Sequence, residues 1–183
     1  MDEIKKEREE GLDWEYMGEM IKEREATGGK YVTPMAGLMG QLFAVMAKTI
    51  IDEVGKEKGE AILEKAVRYF GEERGRRVAE RVKAAGKPLS LKNFLVFGDL
   101  DSSTAISFVP NIEEGDLSLS INSCDFSKYP DDWGMGEYFH YYCKYIDKST
   151  LRGYNAELKL EVPKTLSGGD DVCILCYTVK EKK

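Results

Sequence analysis

The scarcest chemistry in this sequence is imidazole: His140 is the only histidine in 183 residues. That excludes the paired-histidine zinc motifs and leaves any histidine-dependent proton transfer to one side chain. Basic residues are also short, with 27 Lys and Arg against 33 Asp and Glu and a formal net charge of −6. Such a chain lacks the basic face that grips a phosphate backbone, so no nucleic-acid partner is expected. The one local basic cluster, Arg74-Gly75-Arg76-Arg77, is flanked by Glu72, Glu73 and Glu80 and reads as a solvated helix face. The longest apolar stretch, 35–51, contains Gln41 and Lys48. It is short for a bilayer span, so a buried core helix is expected there and no membrane partner. Glycine-rich phosphate loops, nucleophile-elbow serines, internal repeats and low-complexity linkers are missing too. Met1-Asp2-Glu3-Ile4-Lys5-Lys6 leads into charge rather than an apolar run, so no secretory leader is expected. Four cysteines in that setting point to free thiols in a reducing cytoplasm.

What is present suits a soluble globular protein: 42% hydrophobic and 33% charged residues. The length allows one domain with a sizeable core, taken here as 31–183 behind a helical arm over 1–30. In the arm Trp14, Met17 and Ile21 recur at helical spacing. A second helix opens with Thr33 as cap and Pro34 in its first turn. Its Met35, Met39 and Met46 read as core packing, with an adaptable binding surface as the alternative. A third helix runs over about 56–85 with Ile62, Ala66, Tyr69 and Phe70 on its buried side, and Gly71 and Gly75 as places where it could bend or split. The segment 91–97 is ambiguous between helix and strand. Segments 105–112 and 117–124 alternate as strands around a Glu113-Glu114-Gly115-Asp116 hairpin, and Pro110 puts the first at an edge or at its own end. A helix-like stretch over 133–147, with Asp132 as cap, precedes an alternating strand at Leu158, Leu160 and Val162. The turn Ser167-Gly168-Gly169-Asp170 leads to a last strand over 172–179. The class is α+β: N-terminal helices on a mostly antiparallel sheet, with strand-strand-helix-strand-strand order in the C-terminal half.

The chemistry gathers between Cys124 and Cys176, which hold all four cysteines and the histidine. On a continuous helix His140, Cys143 and Asp147 share one side. A thiol needs a base or a cation to become a nucleophile, and Asp147 alone would raise its pKa; His140, Lys144 or a bound substrate would have to activate Cys143. The plain alternative is a small buried cysteine beside a carboxylate, with His140 at the rim of an aromatic core. Cys173 and Cys176 have metal-pair spacing, but residues three apart on a strand face opposite ways. A mixed site of Cys124, His140, Cys143 and a strand cysteine is conceivable only in three dimensions, so no metal and no cofactor are expected. Asn155 and Asp170 sit at turns, where they either bond their own backbone or meet a ligand. Trp133 and tyrosines such as Tyr138 either wall a small pocket or pack as core.

Cys124-Asp125-Phe126, Trp133, Tyr142-Cys143, Asp147, Gly153-Tyr154-Asn155, Leu158, Lys164-Thr165-Leu166 and Gly169-Asp170 before Cys173 form a pattern. It resembles that of the L-2-amino-thiazoline-4-carboxylic acid hydrolase family, over about 40–180. An aromatic residue commonly stands where this chain has Leu175, and Cys176 is extra. The resemblance implies hydrolysis of a C–N bond in a small cyclic amidine- or amide-like substrate. It carries over Cys124, Cys143, Asp147, Asn155, Asp170 and Cys173 as candidate site residues; with the Cys143/Asp147/Asn155 constellation this gives a hydrolase reading in which Cys143 is nucleophile or thiolate base, Asp147 orients substrate or water and Asn155 binds the polar end. Cys124, Trp133, Tyr138, His140, Asp170 and Cys173 would contact the substrate. The element order also resembles vinyl-reductase-type small-molecule-binding domains related to trafficking-complex subunits, which implies a ligand cavity between sheet and helices. A non-catalytic sensor or carrier and an assembly subunit are the rival readings. Homo-oligomerisation stays open, because no heptad seam is legible.

Overall fold

A computed structural model describes residues 3–100 and 105–179, and the chain divides into two units, Met1–Thr33 and Pro34–Lys183. The first unit holds α1 (Glu3–Glu10) and α2 (Trp14–Thr27), with Asp13 capping α2 by accepting the Tyr16 amide at 2.8 Å. None of the α2 residues is buried.

The second unit begins with α3 (Met35–Val54), α4 (Lys56–Ala84) and α5 (Leu91–Val96). The hairpin β1 (Ile106–Glu113) and β2 (Asp116–Cys124) follows, then α6 (Asp125–Asp132), α7 (Gly136–Cys143) and α8 (Ile146–Tyr154). Strands β3 (Lys159–Lys164) and β4 (Cys173–Thr178) close the fold. The sheet order is β1-β2-β4-β3, antiparallel throughout, so the class is α+β as expected. Pro110 is tolerated because β1 is an edge strand. Glu114 and Gly115 both take positive φ, 52° and 92°, the mirror-image turn that matches strand twist in a two-residue hairpin.

Several local expectations change. Pro34, not Thr33, is the N-cap of α3. That helix buries its small residues, Gly37, Gly40, Ala44 and Ala47 with Gln41, while Met35, Leu38, Met39, Leu42 and Met46 stay exposed. The core-packing reading of its methionines is therefore corrected: α3 meets α6 through Gly40, where a Cβ would sit 2.2 Å from the Phe126 carbonyl oxygen, and meets α7 through Phe43, which packs on Phe139 and Tyr142. Among the described residues α3 is the one helix long and apolar enough to span a bilayer. In α4 the buried stripe is Leu63, Val67, Gly71, Gly75, Val78 and Val82, while Ile62, Ala66, Tyr69 and Phe70 stay exposed, Phe70 at the mouth of the cavity described below. Gly71 and Gly75 do not interrupt the helix; they let α8 touch it backbone to backbone. A Cβ at Gly75 would sit 2.0 Å from the Thr150 carbonyl oxygen, and one at Gly153 would sit 2.2 Å from that of Glu72. The reciprocal glycines set the α4–α8 distance, and that distance positions the site.

Segment 91–97 resolves as helix, with Ser90 as N-cap accepting the Asn93 amide at 3.3 Å. Asp132 ends α6 instead of capping the next helix. The stretch 133–147 is not one helix. The Tyr145 amide bonds back to Tyr142 at 3.2 Å, three residues away instead of four. This tightened turn ends α7 and restarts the chain as α8 in a new direction.

Candidate functional site

The break between α7 and α8 undoes the helical arithmetic over 140–147. His140 and Cys143 belong to α7, whereas Asp147 lies in the first turn of α8, against α4. Between the helices and the inner face of the sheet lies a cavity of about 260 Å³. Its polar lining is Arg74 and Asp99, Tyr142 and Asp147, Thr165 and the thiols of Cys124, Cys143 and Cys173. Phe139, Ile121, Val162 and Leu175 close it with apolar surface.

Asp147 is the group that stands out. Among the described residues no hydrogen bond or ion pair holds its carboxylate. Its desolvation in the cavity wall raises its pKa to about 6, with the positive charge of Arg74 pulling the other way. Arg74 in turn is gripped by Asp99 through a two-pronged pair, Nε to Oδ2 at 2.9 Å and Nη2 to Oδ1 at 2.6 Å. Its side chain is only 20% exposed. The solvated reading of the basic cluster holds for Arg76 and Arg77, which pair with Glu73 outside, and fails for Arg74. Burial also pushes Tyr142 up to about 12, opposed by the adjacent Arg74.

The thiols differ. Burial drives Cys143 far above its usual range, against a hydrogen bond from Ser167, and Asp147 adds to the rise. Cys124 is the N-cap of α6, where the amides of Ser127 and Phe126 favour a thiolate, although burial outweighs them. Cys173 is likewise raised by burial, while its sulfur accepts the Leu166 amide at 3.0 Å. All three stay protonated at neutral pH. Cys176 points the other way, into a hollow beside Glu113 and Asp116, as strand alternation requires. Among the described residues no three His, Cys, Asp or Glu side chains are arranged to hold a metal.

The remaining expected site residues lie elsewhere. His140 and Asp170 line a separate polar hollow with Lys144 and Lys148, whose far wall is Cys143. His140 Nδ1 is 3.4 Å from Ser167 Oγ, and burial lowers its pKa. Asp170 Oδ2 accepts the Thr165 amide at 2.8 Å and fixes the turn before β4. Asn155 caps the end of α8: its Nδ2 donates to the Leu89 carbonyl at 2.9 Å and its Oδ1 accepts the Glu157 amide at 3.0 Å. It does not line the cavity. Trp133 is exposed, and Tyr138 stacks under the Lys48 ammonium outside.

With that geometry in place, comparison with known proteins decides the family. The family model for L-2-amino-thiazoline-4-carboxylic acid hydrolase matches residues 35–177. The chain belongs to this family. The match spans α3 to β4 and so includes every wall of the cavity. The family's name is that of a hydrolase. No curated protein matches the chain at a significant level. Among solved structures, a trafficking protein particle complex subunit 3 from Naegleria fowleri, covalently bound to palmitic acid, is similar. The TM-score is 0.50 at 13% identity, over 80% of this chain and 95% of that one. At that identity the likeness concerns the fold.

Arg74 and Asp99 were missed by sequence reasoning. Their signal was weak: an arginine between two buried glycines, Gly71 and Gly75, and an aspartate in a loop 25 residues on.

Proposed function

We propose that the protein is a hydrolase that opens a small cyclic amidine, as in the hydrolysis of 2-amino-thiazoline-4-carboxylate, with Asp147 as general base. One observation carries the reading: an unpartnered carboxyl, titrating at about 6, faces a desolvated cavity beside a fixed guanidinium. A base poised near neutral pH is what proton transfer from water needs. The N–H groups of Arg74 not bonded to Asp99 are suited to a substrate carboxylate. Asp147 would take a proton from water as the water oxygen bonds to the amidine carbon. The same carboxyl would return that proton to the ring nitrogen, leaving a tetrahedral carbon, and would then relay the new hydroxyl's proton to that nitrogen as the C–N bond breaks, giving a carbonyl and a free amine. One water is consumed and no other reactant is needed.

The thiols fit a different role from the nucleophile expected at Cys143. Cys143, held protonated and beside Asp147, is poorly placed to be a nucleophile and serves as a soft wall and hydrogen-bond donor. Asn155 acts through the fold, not on the substrate.

Purified protein incubated with 2-amino-thiazoline-4-carboxylate should release the ring-opened product over many turnovers. Asp147→Asn should lower kcat/KM by roughly 100-fold or more, as loss of a general base does. Cys143→Ser should keep most of it. Turnover that survives Asp147→Asn, or that vanishes only with Cys143→Ser, would refute the assignment.

A further inference from the structure

The cavity at Asp147 does not end there. Arg74, Asp99, Leu100, Asp147 and Leu175 also wall a second hollow of about 480 Å³. It lies between the inner faces of β1 and β2 and the helices α4 and α5. Its other walls are almost wholly apolar, among them Val78, Phe94, Phe108, Leu117, Leu119 and Tyr177.

The strand register accounts for it. Phe108 stands opposite Ile121 and Pro110 opposite Leu119, while Leu119 and Leu117 face Leu175 and Tyr177 on β4. Alternation puts all of these on the helix side of the sheet. In a sheet packed directly on helices, the inner residues of an interior strand are buried. Here Leu117, Leu119 and Ile121 of β2 are only half-buried and Phe108 is 47% exposed. The surface they leave uncovered faces the hollow. Protein interiors hold few voids larger than a water, whereas ligand sites run to roughly 300–1,000 Å³. A small substituted ring at Asp147 leaves this space unused.

We propose that the second hollow receives an apolar tail carried by the substrate, a straight alkyl or acyl chain of medium length. The polar head is held by Arg74 and processed at Asp147. The shared walls favour one amphiphilic molecule over a separate apolar one. Arg74 and Asp147 line both spaces, and a purely apolar ligand would leave the Asp147 carboxyl and the N–H groups of Arg74 not bonded to Asp99 facing apolar surface. The chemistry at the head rests on the hydrolase reading above; the tail site rests on the sheet and its register.

The test is calorimetric titration of the wild-type protein with straight-chain carboxylates from butanoate to dodecanoate, below their micellar concentrations. Kd should fall about fourfold per added CH2 and level off where the hollow is full. Arg74→Gln should weaken the carboxylates and leave the alcohols of the same length unchanged. Leu119→Trp, and independently Leu117→Phe, should shorten the length at which the gain stops, with circular dichroism confirming the fold. Affinity that does not change with chain length in the wild type overturns the proposal, as does a gain untouched by both filling substitutions in folded protein. Chain-length dependence without hydrolysis of any cyclic amidine would sink the hydrolase reading and leave the tail site. Turnover of the untailed ring with flat chain-length dependence would do the reverse.

Discussion

Replacing Asp147 by Asn should stabilise the protein while disabling it. The carboxyl titrates near 3.8 when unperturbed and at about 6 in the fold. Between these values the folded protein holds a proton that the unfolded chain lacks, so folding stability falls as pH rises through that window and is flat above it. At pH 7 the full penalty applies, about 3 kcal/mol at 1.36 kcal/mol per unit. Asn carries no charge but keeps an amide that wants partners, so a net gain of about 1–3 kcal/mol is expected. For a domain of this size that raises Tm by roughly 3–10 °C. Thermal melts of both proteins from pH 4 to 8 give the decisive signature. The gap should be widest above pH 6 and shrink as pH falls towards 4, closing only below the unperturbed value of 3.8, where the wild-type carboxyl is protonated in both states. The kinetic side follows from the same group: wild-type kcat/KM should fall tenfold per unit below about pH 6, because the base must be ionised. A Tm that drops in the variant, or a gap that does not vary with pH, would refute the claim that Asp147 is a desolvated carboxyl.

Arg74→Gln removes the positive charge that holds the Asp147 pKa down, so the acidic limb of the rate profile should move up from about 6; a limb that stays or moves down would count against their coupling. Gly75→Ala improves helix propensity by up to ~1 kcal/mol, yet its Cβ would lie 2.0 Å from the Thr150 oxygen. Urea unfolding should show a net loss of roughly 1–3 kcal/mol, and an unchanged midpoint would mean that α4 and α8 are not locked at this distance. Asn155→Ala leaves the Leu89 carbonyl and the Glu157 amide without their bonds. It should lower stability by about 1–2 kcal/mol with kcat/KM preserved; a selective loss of kcat would return Asn155 to the site.

Much of this protein is written locally. Strand alternation at Leu117, Leu119 and Ile121 and at Leu158, Leu160 and Val162 marks the sheet, and the Glu114-Gly115 turn fixes the hairpin, because each depends on neighbours a few residues apart. The opposite facing of Cys173 and Cys176 follows from the same period of two. The family is legible too, through spaced residues from Cys124 to Cys173. What sequence periodicity misjudged is where one helix packs on another. The side of α4 that is buried is chosen by its glycines, because α8 can approach only where no Cβ intervenes. Ile62 and Tyr69 are left exposed, and Phe70 is left at the cavity. Nor could spacing place Asp147: one tightened turn at Tyr145 separates it from the His140 side and delivers it to Arg74. The site depends on Arg74, Asp99, Cys124, Asp147 and Cys173 converging from five elements or loops. A carboxyl pKa near 6 arises from desolvation by that convergence, a property of enclosed space that no run of neighbouring residues encodes.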